Sequence, residues 1–462
     1  MRHWGMHTLE RFARRATAWA ETWMPDAFVF ALAATLVVLA GALIVDPAAR
    51  AAPLTLVDAW GKGFWALVPF TLQMSMIIVG GYVLASAPPV FRAIAAVAGW
   101  ARTPKGAVLL VSLAAMFTSL LNWGFSLIFS AILAREVARR VPTADYRALG
   151  AASFLGLGTV WAQGLSGSAA LQMASTSSMP PRLQELVGGA IPLTETIFRW
   201  QSLVCVAVEI VVVGAVMWGI APRQGRGAAA LGVDLGPDTP PPLPAPATPG
   251  EHLEHSPALL LPVVALGFAY LVHSVASRAT SVSGALNALD FNTLNLFFLM
   301  SGALLHRTPA SLMRAVRDAT PSVSGVLLQF PFYAGIFGVM TGTALSASIA
   351  GLFVEVSNPT FYPAMIVLYS ALLGLFVPSG GSKWVIEAPY VLEAARALGV
   401  SDGWMVVTYD LGEAIANLMQ PFWMLPILAL LGLKARDIMG YTYVVAAVLV
   451  PLVVVLVTVL RP

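Results

Sequence analysis

Apolar residues run in blocks along the 462-residue chain, most of them near the ~20 residues that a helix needs to cross about 30 Å of hydrocarbon at 1.5 Å per residue. Polar, proline-rich or glycine-rich breaks separate the blocks. The pattern predicts spans near 26–45, 62–86, 148–175, 197–220, 257–276, 289–306, 323–354, 404–431 and 438–460. A basic stretch precedes the first block, yet that block exceeds the ~7 to 15 residues of a signal-peptide core and reads as a retained span. Two other blocks, 106–134 and 361–397, are broken at their middles by Asn122-Trp123-Gly124 and by Pro378 through Ser382. Irregular backbone at membrane depth is costly unless it faces a cavity or a ligand, so these breaks are the best pointers to a transport site.

Charge then orients the spans. Arg92, Arg102 and Lys105 precede the block 106–134, and Arg135, Arg139, Arg140 and Arg147 follow it. Basic loops stay cytoplasmic, which puts both flanks on one side and makes the block a re-entrant hairpin. Its second arm, 125–134, would rise only about 15 Å, half a bilayer, leaving the tip near the midplane. The alternative, one long tilted crossing, would place the Arg135 to Arg147 loop outside, against the rule. With both broken blocks as hairpins there are nine full spans, a cytoplasmic N-terminus and an external C-terminus. Of the 26 Lys and Arg, 18 then lie inside and 7 outside, and Lys383 alone remains in the membrane.

The same arrangement exposes a repeat. Gln73 and Gln329 are 256 residues apart, as are Gly124 and Gly380, and the stretch Gly164 to Ser168 lies 256 before Gln420 to Met424. Five crossings precede the second unit, so it enters the membrane with the opposite orientation, as in secondary transporters built from inverted repeats. The expected fold is an all-α polytopic membrane protein of inverted structural repeats, about nine spans plus two re-entrant hairpins. Its expected divisions are a cytoplasmic N-terminal segment 1–25, a first membrane repeat 26–220, a Pro-rich cytoplasmic linker 221–256, a connecting helix and loop 257–288, and a second membrane repeat 289–462. Seven prolines among residues 237–249 make the linker extended or disordered.

Composition agrees with a lipid bilayer as solvent. The chain is 58% hydrophobic and 11% charged, with a mean hydropathy of +0.79, where a soluble domain carries about 25% charged residues. The net charge of +3 comes with no basic face interleaved with aromatics, which argues against a nucleic-acid partner. Cys205 is the single cysteine, so no internal disulfide forms.

Several runs carry a more specific likeness: Asn122-Trp123-Gly124-Phe125, Ala134 through Pro142, Gln329-Phe330-Pro331-Phe332-Tyr333-Ala334-Gly335, Pro378-Ser379-Gly380-Gly381 with Trp384-Val385-Ile386, and Gln420-Pro421-Phe422-Trp423. Over essentially its whole length the chain resembles the bacterial short-chain fatty acid transporters of the acetoacetate and butyrate permease type, within the wider ion-transporter superfamily. The resemblance implies a carrier of short-chain monocarboxylates in the bacterial inner membrane, moving by an elevator motion around two hairpins. By analogy with related carriers it also implies a homodimer. The family pattern tends to uncharged or histidine-like residues where this chain has Lys383 and Glu387, so the chain departs from it there.

The candidate site is read from the residues at the breaks. At each hairpin tip a helix begins whose free N–H groups and dipole favour an anion. Gly124, Gly380 and Gly381 permit positive φ and close approach, and Asn122, Ser379 and Ser382 offer side-chain donors; the alternative is that these small residues only let helices pack. Lys383 either contacts a substrate carboxylate or pairs with Glu387, four residues on. Gly164 and Ser166 form an unwound stretch lining the path, with Gln329, Tyr333 and Gln420 beside it. Gln73 and Gln329 alternatively serve as interhelical glue. Trp123, Phe330, Tyr333, Trp384 and Trp423 could pack a short acyl tail, although aromatics at such spacing are more often core or interface belt. Glu413 and Asn417 are the ion-coupling candidates, for H⁺ or Na⁺, and no other cofactor is expected. Asp410 reads as capping or hydrating the start of its helix near the external interface, and Glu209 as a hydrogen-bonding group within the bundle, with a relay as the alternative. Gly164-Leu165-Ser166-Gly167 matches a string of intramembrane serine proteases, but such a serine needs a histidine base, and His273 and His306 fall near helix ends. The chain therefore reads as a carrier and not an enzyme. A passive channel would not need two gated hairpins, and the runner-up is a dicarboxylate or inorganic-anion carrier.

Overall fold

Prolines and short capping side chains cut the apolar blocks into helices. The computed structural model describes residues 27–235, 242–278, 288–375, 377 and 379–462, and these are helical with no strand among them. The segment 1–25, linker positions 236–241, loop positions 279–287 and Pro378 of the second break lie outside the described residues. The first half holds α1 (Ala27–Val45), α2 (Pro47–Ala51), α3 (Leu54–Phe64), α4 (Val68–Ala85), α5 (Pro88–Ala98), α6 (Pro104–Leu121), α7 (Trp123–Arg140), α8 (Tyr146–Gly158), α9 (Ser168–Met173), α10 (Pro181–Val187) and α11 (Trp200–Ile220). Then come α12 (Pro249–Glu254) and α13 (Pro257–Arg278). The second half holds α14 (Phe291–His306), α15 (Pro309–Ala319), α16 (Ser324–Gly342), α17 (Leu345–Val356), α18 (Tyr362–Gly374), α19 (Gly380–Ala397), α20 (Asp402–Met419), α21 (Leu425–Leu431) and α22 (Ala435–Val459).

Helix starts follow capping chemistry. Thr103, Asp145, Asp290, Thr308 and Ser401 each sit in extended backbone and accept from the N–H three residues on, which satisfies one of the orphan donors of the first turn. Pro104 and Pro309 follow two of these caps, where a missing N–H costs nothing.

Seven helical stretches among the described residues are long and apolar enough to cross a membrane, or eight if α20 and the segment Phe422–Leu431, bent by 72°, count as one. The expected nine spans are thus not matched one for one. The block 62–86 is cut at Trp65 to Leu67 into the end of α3 and all of α4, and 323–354 is cut at Thr343 and Ala344 into α16 and α17. Helices α1 and α14 form where expected, but α14 has only 16 residues.

Both broken blocks do reverse the chain. Across the first turn Ser126 Oγ donates to the Ala115 carbonyl at 2.7 Å. Across the second, Lys383 Nζ donates to the Ser370 carbonyl at 2.7 Å and Tyr362 Oη donates to Val391 O at 2.8 Å. The return arm of the first hairpin is longer than expected. It runs 18 residues, Trp123–Arg140, or about 27 Å, because the helix continues through the basic run instead of ending at Ala134.

Helix starts recur through the chain. Helices α4, α5, α6, α7, α8 and α9 begin at 68, 88, 104, 123, 146 and 168, and α16 to α21 begin at 324, 345, 362, 380, 402 and 425, offsets of 256 to 258. The stretch from α8 to α9 is 94% buried, whereas the window in α13 is 11% buried and those in α11 and α22 are 33% buried. The least polar, least covered helices therefore form the rim, where apolar side chains meet lipid.

Backbone contact without side chains sets a tight helix crossing of α3 on α16. A Cβ on Gly63 would lie 2.6 Å from Ala334 O, and one on Gly338 would meet Ala59 O, the small-residue spacing that lets membrane helices touch. Gly338→Leu is expected to lower the thermal unfolding midpoint of the purified protein by an amount corresponding to about 1–3 kcal/mol of overpacking. Gly219→Ala, with no neighbouring atom within 4 Å, is expected to leave it unchanged.

Candidate functional site

The hairpin tips and the interrupted helices meet at one small cavity. It is walled by Trp123 of the first tip, by Ser379, Gly380 and Gly381 of the second, by Leu157, Trp161 and Ser168 around the first interruption, and by Asn417 and Trp423 around the second. Met74 of α4 with Val326 and Phe330 of α16 closes it. Its volume, about 20 Å³, is room for one water.

Hydrogen bonds from the interruptions hold the tips. Leu165 N–H donates to the Leu120 carbonyl at 2.7 Å, and Trp123 N–H donates to Ser166 Oγ at 2.9 Å. Asn122 caps α7 by accepting from Phe125 N–H at 2.8 Å. Two residues after Trp161, Gln163 Nε2 donates to Glu209 Oε1 at 2.9 Å. Glu209 is thus the bundle hydrogen bonder its sequence position suggested. At the second interruption Asn417 Nδ2 donates to Leu157 O at 3.2 Å, and Gln420 bridges Asn417 Oδ1 and Phe422 N–H. The two breaks are therefore tied to each other.

Of the expected residues, Trp123, Ser379, Gly380, Gly381 and Asn417 line the cavity, as do the aromatic candidates Phe330 and Trp423. Gly124 lines an adjoining space of about 30 Å³. Asn122, Gly164, Ser166 and Gln420 stand behind the lining and organise the turns. Ser382 shares a hydrogen bond with Ser379, while Gln329 and Tyr333 are buried in α16 away from the lining. Gln73 Nε2 donates to Asn292 Oδ1 at 2.9 Å, a link between α4 and α14.

The glycines are present for close approach and not for positive φ. None of Gly124, Gly380 and Gly381 is among the positive-φ glycines. A Cβ on Gly380 would come 2.8 Å from Ser168 Oγ and 3.0 Å from the Trp161 ring, and one on Gly381 would strike Phe70. Sequence reading passed over Trp161 and Ser168 as individual residues, although both border the Gly164 to Ser168 break. The buried groups Ser168 Oγ, Trp123 Nε1 and Trp161 Nε1 make no hydrogen bond to the protein, so three donors around one cavity are available to an acceptor.

Lys383 points elsewhere. Its Nζ lies 2.5 Å from Glu413 Oε2 and 3.9 Å from Glu387 Oε1, donates also to Ser370, and sits 5.1 Å over the Tyr409 ring. A Cβ on Gly374 would lie 3.0 Å from Glu413 Oε2, so the glycine makes room for the pair between α18, α19 and α20. Asp410 is fully buried in mid-helix, not at the start of α20, and it accepts from Ala170 N–H of α9 at 3.3 Å. His306, the last residue of α14, bonds Ser311 and Val83 O.

Two helical hairpins meeting two interrupted helices inside a rim of apolar helices define a polytopic membrane transporter. Solved transporters share this fold. The YdaH transporter of Alcanivorax borkumensis matches at TM-score 0.59 and 14% identity, over 95% of this chain and all of that one. The Neisseria gonorrhoeae protein MtrF, described as illuminating a class of antimetabolite efflux pumps, matches at TM-score 0.62 and 13% identity over 97% of both chains. The chain belongs to the short-chain fatty acid transporter family, whose pattern matches residues 8–461. An Escherichia coli relative provisionally named a short-chain fatty acid transporter is 39% identical over 93% of this chain and 95% of its own, and a Haemophilus influenzae relative of the same name is 34% identical over 94% and 96%. These relatives are transporters by name, in line with the expectation that the chain is not an enzyme.

The ion pair makes a stability prediction independent of transport. Glu413→Gln leaves the buried Lys383 ammonium only Ser370 and the more distant Glu387 and is expected to destabilise the protein by about 3 kcal/mol, the low end for breaking a buried pair, whereas Lys383→Met with Glu413→Leu together should recover most of that loss. Thermal unfolding of the three purified proteins checks it.

Proposed function

We propose that the chain is a secondary active carrier that imports short-chain monocarboxylates, such as acetoacetate and butyrate, across the bacterial inner membrane by alternating access. The observation that carries this reading is the set of donors around the inter-hairpin cavity. Ser168 Oγ and the two indole N–H groups of Trp123 and Trp161 lie there with the N-terminal turn of α19, where free N–H groups and the helix dipole favour negative charge. Among the described residues no Lys or Arg lines the cavity, which suits one carboxylate better than two. Trp123, Trp161, Phe330 and Trp423 offer the tail an apolar wall. A four-carbon acid needs several times the 20 Å³ present, so the geometry is that of a closed site, and the tips must part to admit substrate.

The recurrence of helix starts at 256 to 258 residues supports two structural units, and the placement of Lys and Arg along this chain supports opposite orientations for them. The hairpins with the interrupted helices form the mobile unit, and the rim helices form the scaffold. The N-terminus is cytoplasmic in this account.

The coupling ion is H⁺. Glu387, Asp410 and Glu413 are all at most 1% exposed, and Lys383 pairs with Glu413 and, at 3.9 Å, with Glu387, while Asp410 accepts from Ala170 N–H. Two uncompensated buried charges would cost several kcal/mol each. A proton cancels such a charge at a single lone pair, with no shell of further ligands.

Uptake of labelled butyrate into proteoliposomes tests this. A pH gradient is expected to drive saturable uptake, and Ser168→Ala is expected to raise KM about tenfold, since a hydrogen bond to a charged group contributes about 1.5–3 kcal/mol. Uptake of succinate in place of butyrate would overturn the substrate, and dependence on Na⁺ alone would overturn the coupling.

A further inference from the structure

The largest described cavity lies away from the site. It holds about 850 Å³ and is walled by five arginines: Arg92 of α5, Arg135, Arg139 and Arg140 of α7, and Arg314 of α15. Glu136 and Asp318 share the wall, and Glu136 pairs with Arg139, so five cations face two anions. Arg135 and Arg139 also donate to the Leu235 carbonyl of the linker, whereas the side chains of Arg92 and Arg140 belong to exposed residues.

This space connects inward by shared walls. Tyr82 and Ile128 line both it and the 30 Å³ cavity that reaches Trp123 and Trp423. Those two tryptophans, with ring centroids 5.2 Å apart and planes at 69°, line the inter-hairpin cavity on their other side. The edge-to-face contact of Trp123 and Trp423 therefore borders both inner spaces.

We infer that the arginine-lined cavity is a vestibule that attracts small carboxylates on the cytoplasmic, linker side of the membrane, where an importer releases its substrate and can rebind it for exchange, and that the Trp123 and Trp423 pair is its inner gate. Low-dielectric walls of one charge focus the field and raise the local concentration of an oppositely charged solute by about tenfold or more. The arginines stand outside the inner cavity, so they gather the anion without holding it at the site. Aliphatic wall residues such as Ile128 and Ile132 tolerate a short acyl tail. That the anion gathered is the transported acid rests on the function proposed above; the field and the gate do not.

The test uses thiol labelling of the full chain with the buried Cys205 replaced by Ser. Ser86→Cys reports on the vestibule, which Ser86 lines. Its labelling rates with a negatively charged sulfonatoethyl and a positively charged trimethylammonioethyl methanethiosulfonate are compared with those of a free thiol. The ratio of the two cancels any change in thiolate fraction. The anionic reagent is expected to be favoured about tenfold at low salt, with the preference falling in high salt. It should also fall in Arg92→Gln/Arg140→Gln but persist in Arg92→Lys/Arg140→Lys. A ratio equal to that of the free thiol, or one untouched by the Gln pair, overturns the vestibule and leaves the arginines as orientation signals. For the gate, Met74→Cys in the inner cavity should label severalfold faster from the linker side when Trp423 is also changed to Ala, and an unchanged rate overturns it. In transport, the Gln pair should raise KM severalfold for acid entering from the linker side only, and an equal rise on both sides contradicts capture. If the native chain moves no carboxylate at all, the carrier reading fails, and the labelling ratios still decide the vestibule.

Discussion

Helix ends inside a membrane protein have no water to bond, so each must be satisfied by protein. This constraint organises the centre of the molecule. The end of α6 and the start of α7 are held by the unwound residues 164–166, through Leu120 O and Trp123 N–H. The end of α8 is held by Asn417 of α20, and the start of α9 by Asp410 of the same helix. Broken backbone is tolerated because each break is the partner of another. Among the groups left over, Ser168 Oγ and the indole N–H groups of Trp123 and Trp161 belong to residues that line one cavity.

The buried charges obey the same logic in electrostatic form. Lys383 is balanced by Glu413 and by Ser370, and it stays out of the cavity. Its placement on α19, facing α18 and α20, ties the second hairpin to the interrupted helix. A change of protonation in this cluster would therefore act on the hairpin's packing rather than on the substrate directly. That separation is what coupling by population shift requires: ion and substrate need differential affinity for two arrangements, not contact with each other.

Much of this was legible in the sequence. The breaks at Asn122 and near Ser379 and the repeat offset were visible because turn residues interrupt long apolar runs in the same order at a constant spacing, and the family because runs such as Gln420-Pro421-Phe422-Trp423 resemble it. Other features were hidden by distance along the chain. Glu387 lies four residues from Lys383 and Glu413 lies thirty away, so sequence spacing pointed to the weaker partner. The cuts at Trp65 to Leu67 and at Thr343 leave hydropathy high, so an apolar window runs straight through them. Trp161 and Ser168 acquire their role only when the second tip packs on them, which forces glycine at 380. The arginine vestibule was read as a topology signal alone because its residues come from α5, α7 and α15.

The claim most central to this account is that a carboxylate binds between the two hairpin tips. A cryo-electron microscopy structure of the native chain with saturating 4-bromobutyrate tests it, the bromine marking the tail. The account predicts the carboxylate against Ser168 and the first turn of α19, with the bromine among Trp123, Phe330 and Trp423. A ligand bound at Lys383, or outside the tips altogether, would contradict it.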